Sequence, residues 1–261
     1  MMDLNGKRAL IMGVANDRSI AWGIARALAA AGADLAFTYQ GEAFGKRLAP
    51  LAESVGSTTT LDVDVTDDAS LDAAFAALDD GRPLDVVVHA IAFSDKAELT
   101  GRFVDTTRAN FKHSLDISCY SLIEVARRAA PLMTNGGTIL TLTFDGSQRV
   151  MPFYNVMGVA KAALESSVRY LASDLGGQGI RVNAISPGPM KTLAGAAIGG
   201  ARRTFRHAEA NAPMRSNATL EAVGGTALYL ASEAGAFTTG EVIHVDGGYH
   251  VMGMPRPENL A

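Results

Sequence analysis

The chain has 261 residues, of which 48% are hydrophobic, and carries a formal net charge of -4, so it can bury the core of one α/β domain. This weakly acidic balance gives no reason to expect nucleic acid or an anionic membrane as a partner. The sequence contains neither a secretion signal nor the ~20 consecutive apolar residues of a membrane span. The single cysteine, Cys119, cannot form an internal disulfide. These features predict a cytoplasmic protein.

Short apolar runs alternate along the chain with amphipathic stretches of helical length. The runs predict seven buried strands, at 8–13, 34–39, 58–64, 84–92, 137–143, 180–186 and 241–248. The amphipathic stretches predict helices at 19–32, 69–78, 112–133, 154–176 and 220–232. The alternation predicts a Rossmann-like, doubly wound parallel sheet flanked by helices, in a single domain over residues 1–261.

The first strand is followed by GVANDRSIAWGIA, residues 13–25. In a doubly wound sheet this turn is where a pyrophosphate meets the N–H groups at the start of a helix. Gly13 suits the tight turn, but SIA at 19–21 stands where a second pair of glycines is common. The motif is therefore weak evidence for a dinucleotide site, and ordinary turn packing is the alternative.

The ends of the next strands refine this interpretation. Gln40 stands where an acidic residue would hold a ribose 2′-hydroxyl and an arginine would accept a 2′-phosphate. No Arg or Lys occurs between 34 and 45, which favours NADH over NADPH. After the third strand, Asp64 and Val65 are placed to contact an adenine, although Asp64 is equally suited to cap a helix. HAIAF at 89–93 has small residues of the kind found beside a cofactor or in a tight core turn.

FYNVMGVAK, residues 153–161, places Tyr154 and Lys161 seven positions apart. If 154–174 is one helix, the two side chains share a face and lie ~10 Å apart along its axis. A lysine side chain leans toward the helix N-terminus, so Lys161 can reach a ligand that Tyr154 also touches. Such pairs are ordinary in most helices. The position of this pair after the fifth strand, beside the cleft of a cofactor fold, favours a functional site.

The long irregular region 187–218 follows the sixth strand. Its length is typical of a functional segment, and we interpret it as a substrate-binding lid, with a merely loose loop as the alternative. Three arginines, Arg202, Arg203 and Arg206, concentrate positive charge in this region of an acidic protein.

Six segments, taken in order, resemble the enoyl-acyl carrier protein reductases of bacterial fatty-acid synthesis, a divergent branch of the short-chain dehydrogenase/reductase superfamily. They are GVANDRSIAWGIA, FTYQ, HAIAFSDK, YNVMGVAK, RVNAISPGPMKTLA and GEVIHVDGG. The resemblance covers essentially the whole chain. Its most discriminating element is Tyr-x6-Lys, because most of the superfamily uses Tyr-x3-Lys, and Gly158 stands where that lysine would be.

The resemblance implies an enzyme that uses NADH to reduce the trans-2 double bond of enoyl thioesters on acyl carrier protein, the last step of the fatty-acid elongation cycle. It also implies a homotetramer. Tyr154 would polarise the thioester carbonyl, and Lys161 would hold the nicotinamide ribose. The other cofactor-binding residues would be Gly13, Ala15, Ser19, Ile20, Gln40, Asp64, Val65, Ile91, Met190, Lys191, Thr192, Leu193 and Ala194.

An apolar slot for the acyl chain would flank the nicotinamide, with plain core packing as the alternative. The substrate-side residues would be Phe93, Ser94, Leu99, Phe144, Phe153 and Met157, with Leu193 at the lid. The three arginines are either a solvated face or a docking surface for the strongly acidic acyl carrier protein. Many relatives carry a second tyrosine where this chain has Phe144. Phenylalanine cannot donate a hydrogen bond, so only a mechanism with Tyr154 alone remains.

Two alternatives remain open. One is a 3-oxoacyl or other carbonyl reductase of the same superfamily, which would place a serine near Thr141, but the lysine spacing contradicts it. The other is a non-catalytic NAD(H)-binding sensor, for which Phe144 is the only support. The five histidines and Cys119 lack metal-ligand spacing, and hydrolase or Walker motifs are absent from the sequence. We therefore expect no metal site.

Overall fold

The structure is a computed structural model that describes residues 2–193, 195 and 200–259. Its strands are β1 (Arg8–Met12), β2 (Asp34–Tyr39), β3 (Thr59–Asp62), β4 (Val86–His89), β5 (Gly137–Leu142), β6 (Ile180–Pro187) and β7 (Val242–Val245). All pair in parallel, in the order β3-β2-β1-β4-β5-β6-β7. The predicted Rossmann-like sheet of seven strands is therefore confirmed.

Helices cover both faces of the sheet. They are α1 (Ile20–Ala30), α2 (Glu42–Ser54), α3 (Asp68–Leu78), α4 (Lys96–Leu99), α5 (Arg108–Leu115), α6 (Ser121–Ala129), α7 (Val156–Leu175), α8 (Ala201–Asn211) and α9 (Leu220–Ala231). One hydrophobic layer packs α3, α6 and α7 on the sheet, and the other packs α1 and α9. Among the described residues, no helix is long and apolar enough to cross a membrane.

Several strands end earlier than the apolar runs predicted. β4 stops at His89 and β3 at Asp62, so Ile91 and Asp64 lie in the turns that follow. The apolar run continues past β4 because Ile91 still packs against the core after the backbone has stopped pairing. Apolar patterning reports burial rather than strand pairing, and this makes the predicted strands too long.

The region predicted as one helix at 112–133 consists of several helical elements and begins earlier in the chain. It begins at Arg108, where the Thr107 side chain accepts a hydrogen bond from the Asn110 N–H. A π-helical turn, Asp116–Tyr120, joins α5 to α6, and a 3-10 turn follows α6. The extra residue of a π turn shifts the side-chain register between the two α-helices.

Three helices lie where no helix was predicted: α2, the single turn α4, and α8. α2 contains Pro50 and Gly45, and a Cβ on Gly45 would lie 2.7 Å from the Tyr39 ring. Both residues disfavour a helix in isolation, whereas tertiary packing accommodates them here. α8 lies inside the region 187–218 that was interpreted as irregular.

Helix α7 begins at Val156 and not at residue 154. Tyr154 therefore lies in the turn before the helix, and the argument that placed it on one helical face with Lys161 is wrong in its geometry. The reason is backbone conformation, because Phe153 and Asn155 have φ values of 63° and 39°. Neither residue can belong to a right-handed helix with those angles.

Candidate active site

The order of the strands reverses at β1, which has β2 on one side and β4 on the other. Gly13 follows β1 at this point, with φ 98°. A Cβ there would lie 2.1 Å from the carbonyl oxygen of Ala90, which follows β4. Glycine is therefore required for the two strand ends to approach each other. In a doubly wound sheet this is the position of a dinucleotide crevice.

The N-terminus of α1 points its free N–H groups at this crevice. The Ser19 hydroxyl is turned back toward the loop, where it accepts hydrogen bonds of 3.0 Å from the N–H groups of Ala15 and Asn16. Ser19 consequently does not cap α1. In the described part of the chain, the N–H groups of Ile20 and Ala21 have no acceptor. Unpaired helix N–H groups of this kind bind phosphate oxygens.

The side chains predicted for the adenosine lie after β2, β3 and β4. Thr66 donates to the Asp64 carboxylate from its hydroxyl at 2.7 Å and from its N–H at 2.9 Å. These bonds lower the pKa of Asp64, and a hydrogen bond from Gln40 adds to the effect, which brings those two predicted residues together. Val65 and Ile91 pack against the same core layer. The helix cap considered for Asp64 is instead Asp67, which accepts from the Ala69 N–H.

The turn that carries Tyr154 is strained on both sides. A bulky residue such as Phe153 rarely adopts positive φ, and it is held there by its surroundings. Asn155 anchors the other side, because its side-chain amide donates 2.9 Å hydrogen bonds to the carbonyl oxygens of Glu98 and Gly101. The strained backbone keeps Tyr154 out of the helix and turned toward the end of β5.

Tyr154 is buried, with 7% of its surface exposed. Its ring meets the edge of Phe144, with centroids 5.2 Å apart. Its hydroxyl has no hydrogen-bond partner within the ranges that the structure describes. Burial, with a smaller contribution from the Glu165 charge, raises the pKa of this phenol above its ordinary value. Among the described residues, Tyr154 is therefore a neutral donor whose hydrogen bond is unused.

Lys161 is buried on α7, with 6% exposed. Its Nζ donates a 2.8 Å hydrogen bond to the Leu142 carbonyl oxygen, at the end of β5. Burial lowers the pKa of Lys161 to about 8, against opposing contributions from Cys119 and Glu165. One hydrogen bond leaves two donors of the ammonium group for a ligand.

Two glycines fit the backbone closely around Tyr154. A Cβ on Gly146 would lie 2.5 Å from Cδ1 of the Tyr154 ring, and one on Gly158 would lie 2.6 Å from the Gly146 carbonyl oxygen. Position 158 is where a Tyr-x3-Lys site would need its lysine. Any side chain at position 158 would displace Gly146. The packing therefore leaves no room for the lysine of a Tyr-x3-Lys site, and the x6 spacing agrees with this.

Thr141 is not available to a substrate. It is 1% exposed, and its hydroxyl donates to the His89 carbonyl oxygen at 3.0 Å. The His89 ring lies between the hydroxyls of Thr141 and Ser121, and burial lowers the pKa of His89 to about 3, so the ring is neutral. The hydroxyl on which the carbonyl-reductase alternative depended is therefore part of the core.

The predicted substrate-side residues fall into two groups. Leu99, Phe144 and Met157 cluster with Tyr154, and Met157 is buried. Phe93 and Phe153 are 49% and 41% exposed, which excludes the core alternative for both. The backbone N–H of Phe93 donates to Ser118, whose hydroxyl also contacts the Met157 sulfur. Ser94 lies farther along the same loop, with its hydroxyl on the Asn110 side chain.

The segment after β6 carries the remaining predicted residues. Met190 packs on the α1 side of the sheet, and the Thr192 hydroxyl accepts from the Gly195 N–H. Lys191 lies over the ring of Phe205, 4.6 Å from its centroid. Leu193 is 47% exposed, and Ala194 lies outside the described residues.

Helix α8 carries the three arginines, all exposed. Arg202 and Arg203 lie in its first turn, which has no acidic residue, and Arg206 follows one turn later. In the described structure none of the three forms an ion pair. Cations at the N-terminus of a helix oppose its dipole, so this end favours an anionic partner. The Phe153 ring lies against Gly200 at the start of α8, which connects α8 to the Tyr154 turn.

Sequence reasoning missed Gly146, Asn155 and Glu165. Glu165 is 6% exposed and accepts hydrogen bonds from the Thr143 and Ser147 hydroxyls, at 2.6 and 2.5 Å. Its position four residues after Lys161 was a usable signal, because residues four apart share a helical face. The roles of Gly146 and Asn155 depend on tertiary contacts that have no local signature.

Comparison with known proteins gives consistent results. Residues 13–250 match the family model described as enoyl-(acyl carrier protein) reductase. The NADH enoyl-[acyl-carrier-protein] reductase 2 of Rhizobium meliloti is 60% identical, covering 98% of this chain and 96% of its own. An Anaplasma phagocytophilum enoyl-(acyl-carrier-protein) reductase, solved in complex with NAD, superimposes with a TM-score of 0.94 at 54% identity, covering 99% and 96% of the two chains. A Bacillus cereus enoyl-acyl carrier protein reductase, solved with NADP+ and an indole naphthyridinone, gives a TM-score of 0.95 at 49% identity, covering 97% and 100%.

Proposed function

The chain belongs to the enoyl-(acyl carrier protein) reductase family, and from this we propose that its cleft reduces the trans-2 double bond of enoyl thioesters carried by acyl carrier protein. The enzyme is an NADH-dependent oxidoreductase and catalyses the last step of the fatty-acid elongation cycle. The observation that carries the assignment of roles is the x6 spacing between Lys161 and a buried phenol. The hydroxyl of that phenol has no partner in the part of the chain that the structure describes.

The cleft fits NADH at both ends. The unpaired N–H groups of Ile20 and Ala21 suit a pyrophosphate, and the close approach at Gly13 admits it to the backbone. Gln40 and Asp64 would face the adenosine, and a 2′-phosphate would meet no cation between 34 and 45. Thr192 and its neighbours after β6 would line the nicotinamide end. When bound, the dinucleotide supplies the hydride.

Tyr154 would donate a hydrogen bond to the thioester carbonyl oxygen. Negative charge develops on that oxygen when the β-carbon is reduced, and a donor positioned in advance stabilises it most where water is excluded. Its raised pKa keeps the phenol protonated at neutral pH. Phe144 supplies packing and no second donor, so Tyr154 would act alone.

Lys161 would hold the nicotinamide ribose. Its Leu142 hydrogen bond fixes the ammonium group near the end of β5, and its remaining donors are free for the ribose hydroxyls. The acyl chain would enter past Leu99 and Met157, with the exposed rings of Phe93 and Phe153 at the entrance. Both rings would lose solvent contact on binding.

The arginines of α8 would dock the acidic carrier protein. Arg206 lies four residues after Arg202 and three after Arg203, so one partner can meet all three side chains. The contact between Lys191 and Phe205 ties α8 to the segment after β6, consistent with a lid over 187–218. Docking and lid closure would then involve the same helix.

The chain would assemble as a homotetramer in the cytoplasm. Exposed aromatic side chains support a subunit interface, including Phe111 on α5, Tyr120 in the π turn and Tyr170 on α7. Light scattering coupled to size-exclusion chromatography measures this directly, and a monodisperse monomer at micromolar concentration would contradict it.

One assay tests the proposed reaction. NADH oxidation is followed with a trans-2-enoyl thioester and, separately, with a 3-oxoacyl thioester, and each is repeated with NADPH. We expect turnover of the enoyl thioester with NADH and little with the other three combinations. Turnover of only the 3-oxoacyl thioester would identify a carbonyl reductase, and tight NADH binding without turnover of either would identify a sensor.

A further inference from the structure

We infer that Glu165 is a positioning residue that sets the placement of both Tyr154 and Lys161 through the segment 142–147. The inference rests on the proposed function, because it concerns the two side chains assigned to the reaction. Glu165 itself is buried, and its carboxylate accepts hydrogen bonds from the Thr143 and Ser147 hydroxyls. It would act only through the groups that it holds.

The carboxylate of Glu165 is buried and bound by two hydroxyls. One oxygen accepts from both Thr143 and Ser147, at 2.6 and 2.5 Å. A buried carboxylate without partners is costly, whereas hydrogen bonds to a charged acceptor are about twice as strong as neutral ones. The two bonds therefore tie the chain leaving β5 firmly to helix α7.

Each hydroxyl adjoins a residue that touches the site. Thr143 follows Leu142, whose carbonyl oxygen accepts the Lys161 hydrogen bond. Ser147 follows Gly146, which packs against the Tyr154 ring so closely that no Cβ fits between them. Glu165 thus fixes the anchor of one side chain and the packing surface of the other. A shift of either hydroxyl would move the corresponding group in the cleft.

The charge of Glu165 has a second effect. It opposes the burial that lowers the pKa of Lys161 and so favours the ammonium form. The other groups facing Lys161 are His89 on β4 and Cys119 in the π turn. Because His89 is neutral, Cys119 and Glu165 are the two groups of these three that favour the ammonium form of Lys161.

The surroundings of Glu165 itself also contain titratable groups. Tyr154 and His244 lie close enough for its charge to act on their pKa values. Asp145 lies in the same turn as Ser147, with the Arg149 guanidinium 4.0 Å away, and burial raises the pKa of Asp145. All of them stay in place in the variants below, so differences between variants report Glu165.

Two substitutions separate positioning from charge. Glu165→Gln keeps an oxygen that accepts from the two hydroxyls and removes the charge, whereas Glu165→Ala removes both. The double variant Thr143→Ala, Ser147→Ala removes the hydrogen bonds and keeps the carboxylate. Glu124→Gln is the matched control, because it removes a second buried carboxylate, on α6, where Glu124 pairs with Arg127 and Arg128.

We expect Glu165→Ala and the double variant to lose kcat on the order of 10²-fold, the cost of misplacing catalytic groups by about 1 Å. Glu165→Gln should keep most of the wild-type kcat at neutral pH. Its NADH affinity, measured by fluorescence titration, should begin to fall at a lower pH than in wild type. Glu124→Gln should leave that pH dependence unchanged even if it lowers the melting temperature.

The inference is overturned if Glu165→Gln has the wild-type pH dependence of NADH binding, or if Glu165→Ala keeps wild-type kcat. If Glu165→Ala does not fold, Glu165→Gln and the double variant decide the outcome. Failure of wild type to oxidise NADH with an enoyl thioester would refute the proposed reaction instead. The NADH titrations would still show whether Glu165 controls Lys161.

Discussion

The Phe144 and Tyr154 rings meet edge to face at an interplanar angle of 67°, so the residue that could have supplied a second phenol instead supports the first. An edge-to-face pair fixes ring orientation without engaging the hydroxyl. The Tyr154 hydroxyl consequently stays without a hydrogen-bond partner among the described residues.

Replacing Tyr154 with phenylalanine tests this donor. We expect Tyr154→Phe to lower kcat by about 10²–10³-fold, the usual cost of losing one oxyanion donor, and to leave the Kd for NADH unchanged. Stopped-flow turnover and a fluorescence titration measure the two quantities. Unchanged turnover would show that the oxyanion role belongs to another group.

Replacing Phe144 with tyrosine tests whether a second phenol contributes to turnover. We expect Phe144→Tyr to give no gain in kcat, because Tyr154 already supplies the hydrogen bond. The double variant Tyr154→Phe, Phe144→Tyr should be as slow as Tyr154→Phe alone. Recovery of turnover in the double variant would show that position 144 can take over the role.

The buried ammonium group of Lys161 predicts a pH dependence of cofactor binding. With a pKa of about 8, Lys161 loses its proton as pH rises through that value, and charge-assisted hydrogen bonds to the ribose weaken. NADH affinity should therefore fall above about pH 8 in wild type. Lys161→Ala should bind NADH weakly at every pH, and Lys7→Ala, whose ion pair with Asp85 lies at the opposite end of the sheet, should behave as wild type.

Unfolding of the protein would not explain a loss of NADH affinity above about pH 8. Burial lowers the pKa of Lys161 from 10.5 to about 8, so between these values the unfolded chain binds the proton more tightly than the folded one. The contribution of Lys161 to the free energy of unfolding then rises with pH over that range. Denaturant titrations at both ends of the range check the sign, and a wild-type affinity that is flat to pH 9 would refute the ribose role.

Gly146 offers a test of packing against Tyr154. We expect Gly146→Ala to lower kcat and the melting temperature together, because its Cβ would lie 2.5 Å from the ring. Gly225→Ala is the control: it lies in α9 with nothing within 4 Å of its Cβ, and alanine there should stabilise the helix by up to about 1 kcal/mol. If both variants kept wild-type kcat, the close approach at Gly146 would not govern Tyr154.

If the arginines of α8 dock the carrier protein, their removal should affect the reaction of a carrier-bound substrate and spare that of a small substrate. Changing Arg202, Arg203 and Arg206 to alanine should lower kcat/KM for the carrier-bound enoyl thioester about tenfold or more at low salt. The same acyl group on a small thiol should react as with wild type. Arg47→Ala, on α2, is the control, and an equal loss for both substrates would place the arginines in the acyl site instead.

The pairing of Tyr154 and Lys161 in one reaction, drawn from the family resemblance and its x6 spacing, stays a prediction. The strands could be predicted from sequence, because apolar runs report burial. The placement of Tyr154 could not. Its exclusion from α7 depends on positive φ at Phe153 and on hydrogen bonds from Asn155 to the distant residues Glu98 and Gly101. Tertiary contacts impose that conformation, and a phenylalanine at position 153 does not indicate a positive φ.

Helix α2 was not predicted, because its local sequence opposes a helix that the folded protein nevertheless forms. Gly45 and Pro50 are strong local signals against a helix, yet α2 contains both, and Gly45 fits against the Tyr39 ring where a Cβ would not. The cofactor role of Ser19 stays a prediction, and only the structure shows its hydroxyl turned away from α1. Local sequence signals therefore do not give the orientations of these side chains.

The junction between β1 and β4 also bears on the order in which the protein folds. β1 pairs with β2 through residues close in sequence, whereas its other edge pairs Ala9 with Val86, far along the chain. Such long-range parallel pairing is slow, because loop entropy is lost before the contact forms. Gly13 and Ala90 meet only when β4 has docked, so we expect the crevice to be completed late and NADH to accelerate no early folding step.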